Sequence, residues 1–126
     1  MKLHPQYVVG FIDGEGSFYI DREHKRPCLV VTNTNLKILK SIAETLGVKG
    51  YIKQKRGNKS PCWDLSIRSY NDVKKVVEFF EKHSLRVKHQ RFEQFKKTFE
   101  EWKYHPQFVN KRYRENPKLK PDAKGG

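Results

Sequence analysis

The stretch Tyr7-Val8-Val9-Gly10-Phe11-Ile12-Asp13-Gly14-Glu15-Gly16-Ser17 holds the residues best suited to chemistry. Asp13 and Glu15 are carboxylates separated by one glycine, at the end of an apolar run. If that run is a helix, they sit where its last carbonyls lack N–H partners and its macrodipole is negative. Carboxylates beside free carbonyl oxygens at a negative helix end suit a hard cation. The alternative stays open: Asp13 caps or buttresses a neighbouring segment and Glu15 is merely solvated. Gly10 and Gly14 are four apart, on one helix face, and admit close approach by a second helix. A glycine inside a helix costs about 1 kcal/mol against alanine. That cost asks for a packing reason, within the chain or against a partner.

Periodicity places the elements that must hold these residues. Pro5 opens a short helix over 5–14, with Gly14 and Gly16 at its end. Residues 17–23 alternate, Phe18 and Ile20 on one face and Tyr19 and Asp21 on the other, as in a strand. Arg22 to Arg26 is a charged turn, and 27–32 is a second strand closing a hairpin. Asn33, Thr34 and Asn35 offer caps for a helix with Leu39, Ile42, Ala43 and Leu46 at helical spacing, stopped by Gly47. Residues 48–56 read as a third strand and 57–60 as a turn. Trp63, Leu65 and Ile67 then alternate with Asp64, Ser66 and Arg68 in a fourth strand. Ser69 and Asp72 have capping-box spacing before the stripe Val73, Val76, Val77, Phe80. A last helix, from about Lys88 to Lys103, carries Phe92, Phe95, Phe99 and Trp102 on one side. The sum is one α+β domain over 1–103, a helix, then hairpin plus helix twice, then a last helix, with one four-stranded antiparallel sheet and helices on one face. Residues 104–126 read as a basic, proline-containing tail, partly ordered.

Composition narrows the partner. The chain has 126 residues, with 27 Lys+Arg against 14 Asp+Glu, a formal net charge of +13. The sequence pI is about 9.8. Such charge speaks of a polyanion rather than of fold. Aromatic content of 13% and periodic apolar blocks exclude a disordered basic chain. The apolar runs are far too short to span a membrane, and the start resembles no signal peptide. Cys28 and Cys62 make neither a disulfide framework nor a zinc site, and the five histidines have no metal-ligand spacing. An intracellular, non-secreted protein is expected. Alternation exposes Tyr19, Asp21, Glu23, Tyr51, Lys53, Lys55, Asp64, Ser66 and Arg68 on the open sheet face, with Arg26 and Thr32 beside them. Lys53 and Lys55 suit guanine or phosphate, and Asp64 suits the amino group of cytosine. An ordinary solvated face is the plain alternative, and the charge weighs against it.

Val8-Val9-Gly10-Phe11-Ile12-Asp13-Gly14-Glu15-Gly16 resembles the LAGLIDADG motif of homing endonucleases, and the order of elements over about 5–103 is similar to that family's αββαββα unit. The resemblance implies a single-motif chain that acts as a homodimer. Its motif helices would pack at a two-fold axis through Val8, Val9, Gly10, Ile12, Asp13 and Gly14. Each curved sheet would lie in the major groove of one half-site of a long pseudo-palindromic double-stranded DNA. Glu15 and the Gly14 carbonyl would bind Mg2+ at the scissile phosphates, and both strands would be cut across the minor groove to leave 3′ overhangs. The catalytic set would be Glu15 with Lys88, then Arg86, as the basic group, and Asn33 positioning water with Lys37 as a weaker neighbour. Plain phosphate binding is the rival role for Lys88 and Arg86. The last acid is Glu where the family commonly has Asp, and the tail is not covered by the resemblance. The same resemblance admits an intron-encoded maturase acting on intron RNA, or a catalytically silent nucleic-acid-binding protein of the same fold. A ribosomal-type RNA-binding protein fits the charge but not Gly10, Gly14 and Glu15.

Overall fold

The computed structural model describes residues 1–57 and 60–103. The expected tail, 104–126, lies outside them. Helix α1 runs Pro5–Glu15, strand β1 Gly16–Asp21, β2 Arg26–Asn33, α2 Leu36–Leu46, β3 Tyr51–Gln54, β4 Trp63–Ile67, α3 Tyr70–Lys82 and α4 His89–Lys103. The β1–β2 and β3–β4 hairpins join through β2 and β4, giving the antiparallel order β1-β2-β4-β3. The central strands are therefore the most apolar: Leu29, Val31, Leu65 and Ile67 are 0% exposed.

Helices supply the other half of the core. Leu39, Ile42, Ala43 and Leu46 of α2, Val73, Val76, Val77 and Phe80 of α3, and Phe92, Phe95, Phe99 and Trp102 of α4 are all buried, as their spacing predicts. Phe18 of β1 meets Phe80, Phe92 and Phe95 edge-on, which fastens α3 and α4 to the sheet. The opposite sheet face is open: Tyr19 is 38% and Tyr51 64% exposed. No helix among the described residues is long and apolar enough to cross a membrane.

Several boundaries differ from the sequence expectation, most of all at β1 and β3. Strand β1 stops at Asp21, because its carboxylate accepts the Glu23 N–H and meets His24 Nδ1, turning the chain. Glu23 therefore belongs to the turn and not to the sheet face. Strand β3 covers only Tyr51–Gln54, shorter than 48–56. Val48 is buried in the core, and the N–H groups of Lys49 and Gly50 donate to the Asp72 carboxylate at 3.2 and 2.9 Å, which holds a bend there. Gly50 has φ +65°, and a Cβ would fall 2.6 Å from Leu65 Cδ1, so any side chain there is strained and glycine suits the bend. Asp72 is thereby drawn away from the reciprocal bond of a capping box, although Ser69 still caps α3 through the Asp72 N–H. Lys55 lies past β3, where its N–H bonds the Cys62 carbonyl at 2.7 Å.

Candidate active site and nucleic-acid face

Helix α1 is set by His4, which caps its first turn, and by Pro5 at its first position. It runs through Glu15, one residue beyond the expected end. Gly16 closes it with an extended backbone and donates its N–H to the Ile12 carbonyl. A Cβ at Gly16 would sit 2.9 Å from Ile12 Cγ2 and 3.0 Å from Ile12 O, so glycine allows β1 to leave tight against the helix. The remaining last-turn carbonyls then divide. Asp13's receives Lys88 Nζ at 2.6 Å. Gly14's has no helical donor, because the chain has already turned into β1.

Asp13 and Glu15 play different parts. The Asp13 carboxylate accepts the backbone N–H groups of Arg86, Val87 and Lys88 at 2.9, 3.0 and 3.0 Å, holding the segment that starts α4. Burial pushes its carboxyl up, but the N–H groups of Arg86, Lys88 and Val87 and the Lys88 charge outweigh this and hold it below the usual carboxylate range. Glu15 is exposed, and its carboxylate has no hydrogen-bond or ion-pair partner among the described residues. Asp13 is thus the buttress of the second reading, while Glu15 lies open to solvent.

Other groups gather at the same end. Gly16 pairs with Val31, so Asn33, still paired with Trp63 of β4, lies past the end of β1 and beside the end of α1. Its side-chain oxygen accepts the Asn35 N–H at 2.8 Å, and Asn35 in turn caps α2. That leaves the Asn33 amide N–H groups to donate. Arg86 and Lys37 are exposed and Lys88 half-buried. Arg91, which sequence reasoning did not single out, donates to the Phe18 carbonyl at 3.3 Å and ties α4 to β1. Among the described residues no three His, Cys, Asp or Glu come together as a ready metal cage. One chain offers Glu15 and the Gly14 carbonyl: oxygen donors of the right hardness for a divalent cation, and too few to enclose one.

The expected helix interface is corrected by the packing of α1. Val8, Val9 and Ile12 are 0, 4 and 0% exposed within the chain's own core and offer nothing to a partner. Asp13 faces the α4 loop. Gly10 and Gly14 do face outward, and a Cβ at either meets nothing within 4 Å. The open face is Tyr7, Gly10 and Gly14, with half-buried Phe11 at its side, the Tyr7 and Phe11 rings 6.1 Å apart. Their i, i+3, i+4, i+7 spacing was the available signal.

On the open sheet face the register sets rows. Tyr19 pairs with Cys28, and Arg68, one residue beyond the Ile67–Leu29 pair, donates to the Tyr19 hydroxyl at 3.0 Å. Burial, then the neighbouring Cys28, pushes the Tyr19 phenol up, and burial pushes the Cys28 thiol up, so both are neutral near neutral pH. Val30 and Ser66 pair, as do Ser66 and Tyr51. Thr32, Asp64 and Lys53 form another row, in which the Thr32 hydroxyl donates to Asp64 at 2.5 Å. Asp21 pairs with half-buried Arg26 at the hairpin end. The sheet thus gathers the expected face residues other than Glu23, Lys55 and Arg68, which lie just outside its strands, Arg68 reaching back onto the face through Tyr19.

The family model described as LAGLIDADG endonuclease matches residues 8–99. Among solved structures, the homing endonuclease I-TnaI is 29% identical with a TM-score of 0.69, the match covering 91% of this chain and 84% of that one. The I-SmaMI LAGLIDADG homing endonuclease bound to cleaved DNA is 30% identical with a TM-score of 0.71, covering 99% of this chain and 45% of that one. I-SmaMI bound to uncleaved DNA target in the presence of calcium ions gives 28% identity and a TM-score of 0.67, covering 99% and 46%. The archaeal intron-encoded homing endonuclease I-Vdi141I, complexed with DNA, shares the fold at 22% identity and a TM-score of 0.68, covering 94% of this chain and 87% of that one. The chain spans less than half of I-SmaMI. No curated protein matches the chain.

Proposed function

Because the chain belongs to the LAGLIDADG endonuclease family, we propose that it is a site-specific endonuclease that works as a homodimer and makes Mg2+-dependent double-strand breaks in a long pseudo-palindromic DNA site. The observation that carries this reading is the exposed, unpartnered Glu15 beside the Gly14 carbonyl at the end of a helix whose outer face is an open glycine seam. Two such helices meeting along Gly10 and Gly14 bring two copies of Glu15 toward one centre, which supplies the donors a single chain lacks. Glu15 and the Gly14 carbonyl are the residues that would hold the cation, which supplies Lewis acidity and an activated water when bound.

The chain's own groups then divide the work. Lys88, anchored on the Asp13 carbonyl, holds a positive charge beside the phosphate being cut. Exposed Arg86 adds charge from the same segment. Asn33 offers its amide N–H groups to orient water. The open sheet face binds the duplex, with Lys53 and Lys55 against phosphates.

The test is cleavage of a randomised duplex library by wild type and Glu15→Gln, with Mg2+ and with EDTA. The expected result is cutting on both strands at a pseudo-palindromic site, lost with Glu15→Gln or EDTA while binding persists. Cleavage that survives Glu15→Gln removes Glu15 from the site. Tight, salt-sensitive binding without cleavage at any condition replaces the nuclease with a binding protein.

A further inference from the structure

The open sheet face holds two polar side-chain pairs whose orientation is fixed before any ligand arrives. In the first, Arg68 reaches across the sheet to the Tyr19 hydroxyl, over a floor of Cys28 that is only 2% exposed. Arg68 has no carboxylate partner among the described residues. One N–H of its fork is committed to a neutral phenol, and the others remain for an outside ligand. Arginine's rigid fork matches the O6 and N7 acceptors of guanine. A phosphate contact needs charge but little orientation, which the exposed stems of Lys53 and Lys55 provide.

In the second pair, Thr32 donates to Asp64. Phosphates repel a carboxylate that faces DNA, and such a group gains only from a base amino group such as cytosine N4. Asp64 and Arg68 are four positions apart along one strand direction. At about 3.4 Å per residue that is roughly 14 Å, close to four base-pair steps of about 3.4 Å.

We infer that Arg68, oriented by Tyr19, reads a guanine in each half-site, and that Asp64, oriented by Thr32, reads a cytosine about four base pairs away; this rests on the nuclease reading above. The register sets both readers on β4 or its exit, so the two base preferences keep a fixed spacing.

The experiment selects bound duplexes from a randomised library. It then measures affinity for every single-base change of the selected half-site, with wild type, Arg68→Lys, Tyr19→Phe and Asp64→Asn. Circular dichroism checks that each variant is folded. Wild type should favour guanine at one position by about five- to 150-fold. Arg68→Lys should flatten that position and spare the others, and Tyr19→Phe should flatten it in part. Asp64→Asn should remove a cytosine preference about four base pairs away and leave the guanine preference in place. A variant with a merely structural role would weaken all positions alike. Arg68→Lys that weakens every position equally, or keeps the guanine preference, overturns the assignment although duplex binding continues. If wild type retains no duplex at all, the nuclease reading falls, and this assignment with it.

Discussion

Asp13 is the residue on which the site's geometry depends most directly. Its carboxylate accepts the three N–H groups of Arg86, Val87 and Lys88 in the segment that leads into α4, and its carbonyl holds Lys88. It therefore fixes, from another element, the connection that leads into α4. Asp13→Ala should lower stability by about 1.5–3 kcal/mol, the range for lost hydrogen bonds to a charged group, read from urea unfolding. The pH dependence has a definite sign. The folded carboxyl lies below its ordinary value of 3.8. A lowered carboxyl stabilises the fold above the unfolded value and loses that contribution as pH falls through the folded value. The stability gap between wild type and Asp13→Asn should be widest near about pH 6 and should close below about pH 4. A gap that stays constant over that range rules out a stabilising charge at Asp13. Glu15, two residues on, carries no such structural duty, so Glu15→Gln should leave unfolding unchanged while it removes cleavage.

At the scale of elements, the α1–β1 junction is the tight point. Gly16 has an ordinary negative φ, so its need is space alone. Gly16→Ala forces a methyl against Ile12, whose side chain is fully buried. Overpacking of this kind costs about 1–3 kcal/mol, and a thermal or urea scan reads it. A neutral Gly16→Ala would mean that β1 can pull away from α1. The helices were legible because each apolar stripe is written in its own segment: Leu39, Ile42, Ala43 and Leu46 need no distant information. Strand ends and register were not, because they rest on distant bonds. Asp72 in α3 holds Lys49 and Gly50, and β2 joins β4 across 30-odd residues with no local sign of it. The site was half legible for the same reason. The placing of Gly14 and Glu15 follows from the helix end. Which side of α1 turns inward does not, since Val8, Val9 and Ile12 and the opposite face of Tyr7 and Phe11 are both apolar. The Arg68–Tyr19 pair needed the strand order before it could be seen.

For the whole molecule, assembly and DNA binding pull against one charge. Each chain carries +13, so two copies repel and both are drawn to a polyanion. The outward face of α1, with Tyr7, Gly10, Phe11 and Gly14, has no lysine or arginine along it, and there two copies can meet without placing cations of the helix together. Gly10 then gives a test with two signs. In a lone chain, Gly10→Ala meets no atom and removes the glycine cost, so the fold should gain about 0.5–1 kcal/mol. At a helix–helix seam the same methyl lies between two backbones, so the dimer should weaken, and Gly10→Leu should abolish it. Sedimentation velocity reads the mass and urea unfolding at low concentration reads the fold. Added salt should sharpen the contrast, because screening eases repulsion between copies while it weakens DNA binding. If Gly10→Leu keeps both the wild-type mass and wild-type cleavage, α1 is not the interface, and Glu15 must find its missing partners elsewhere than across a two-fold axis.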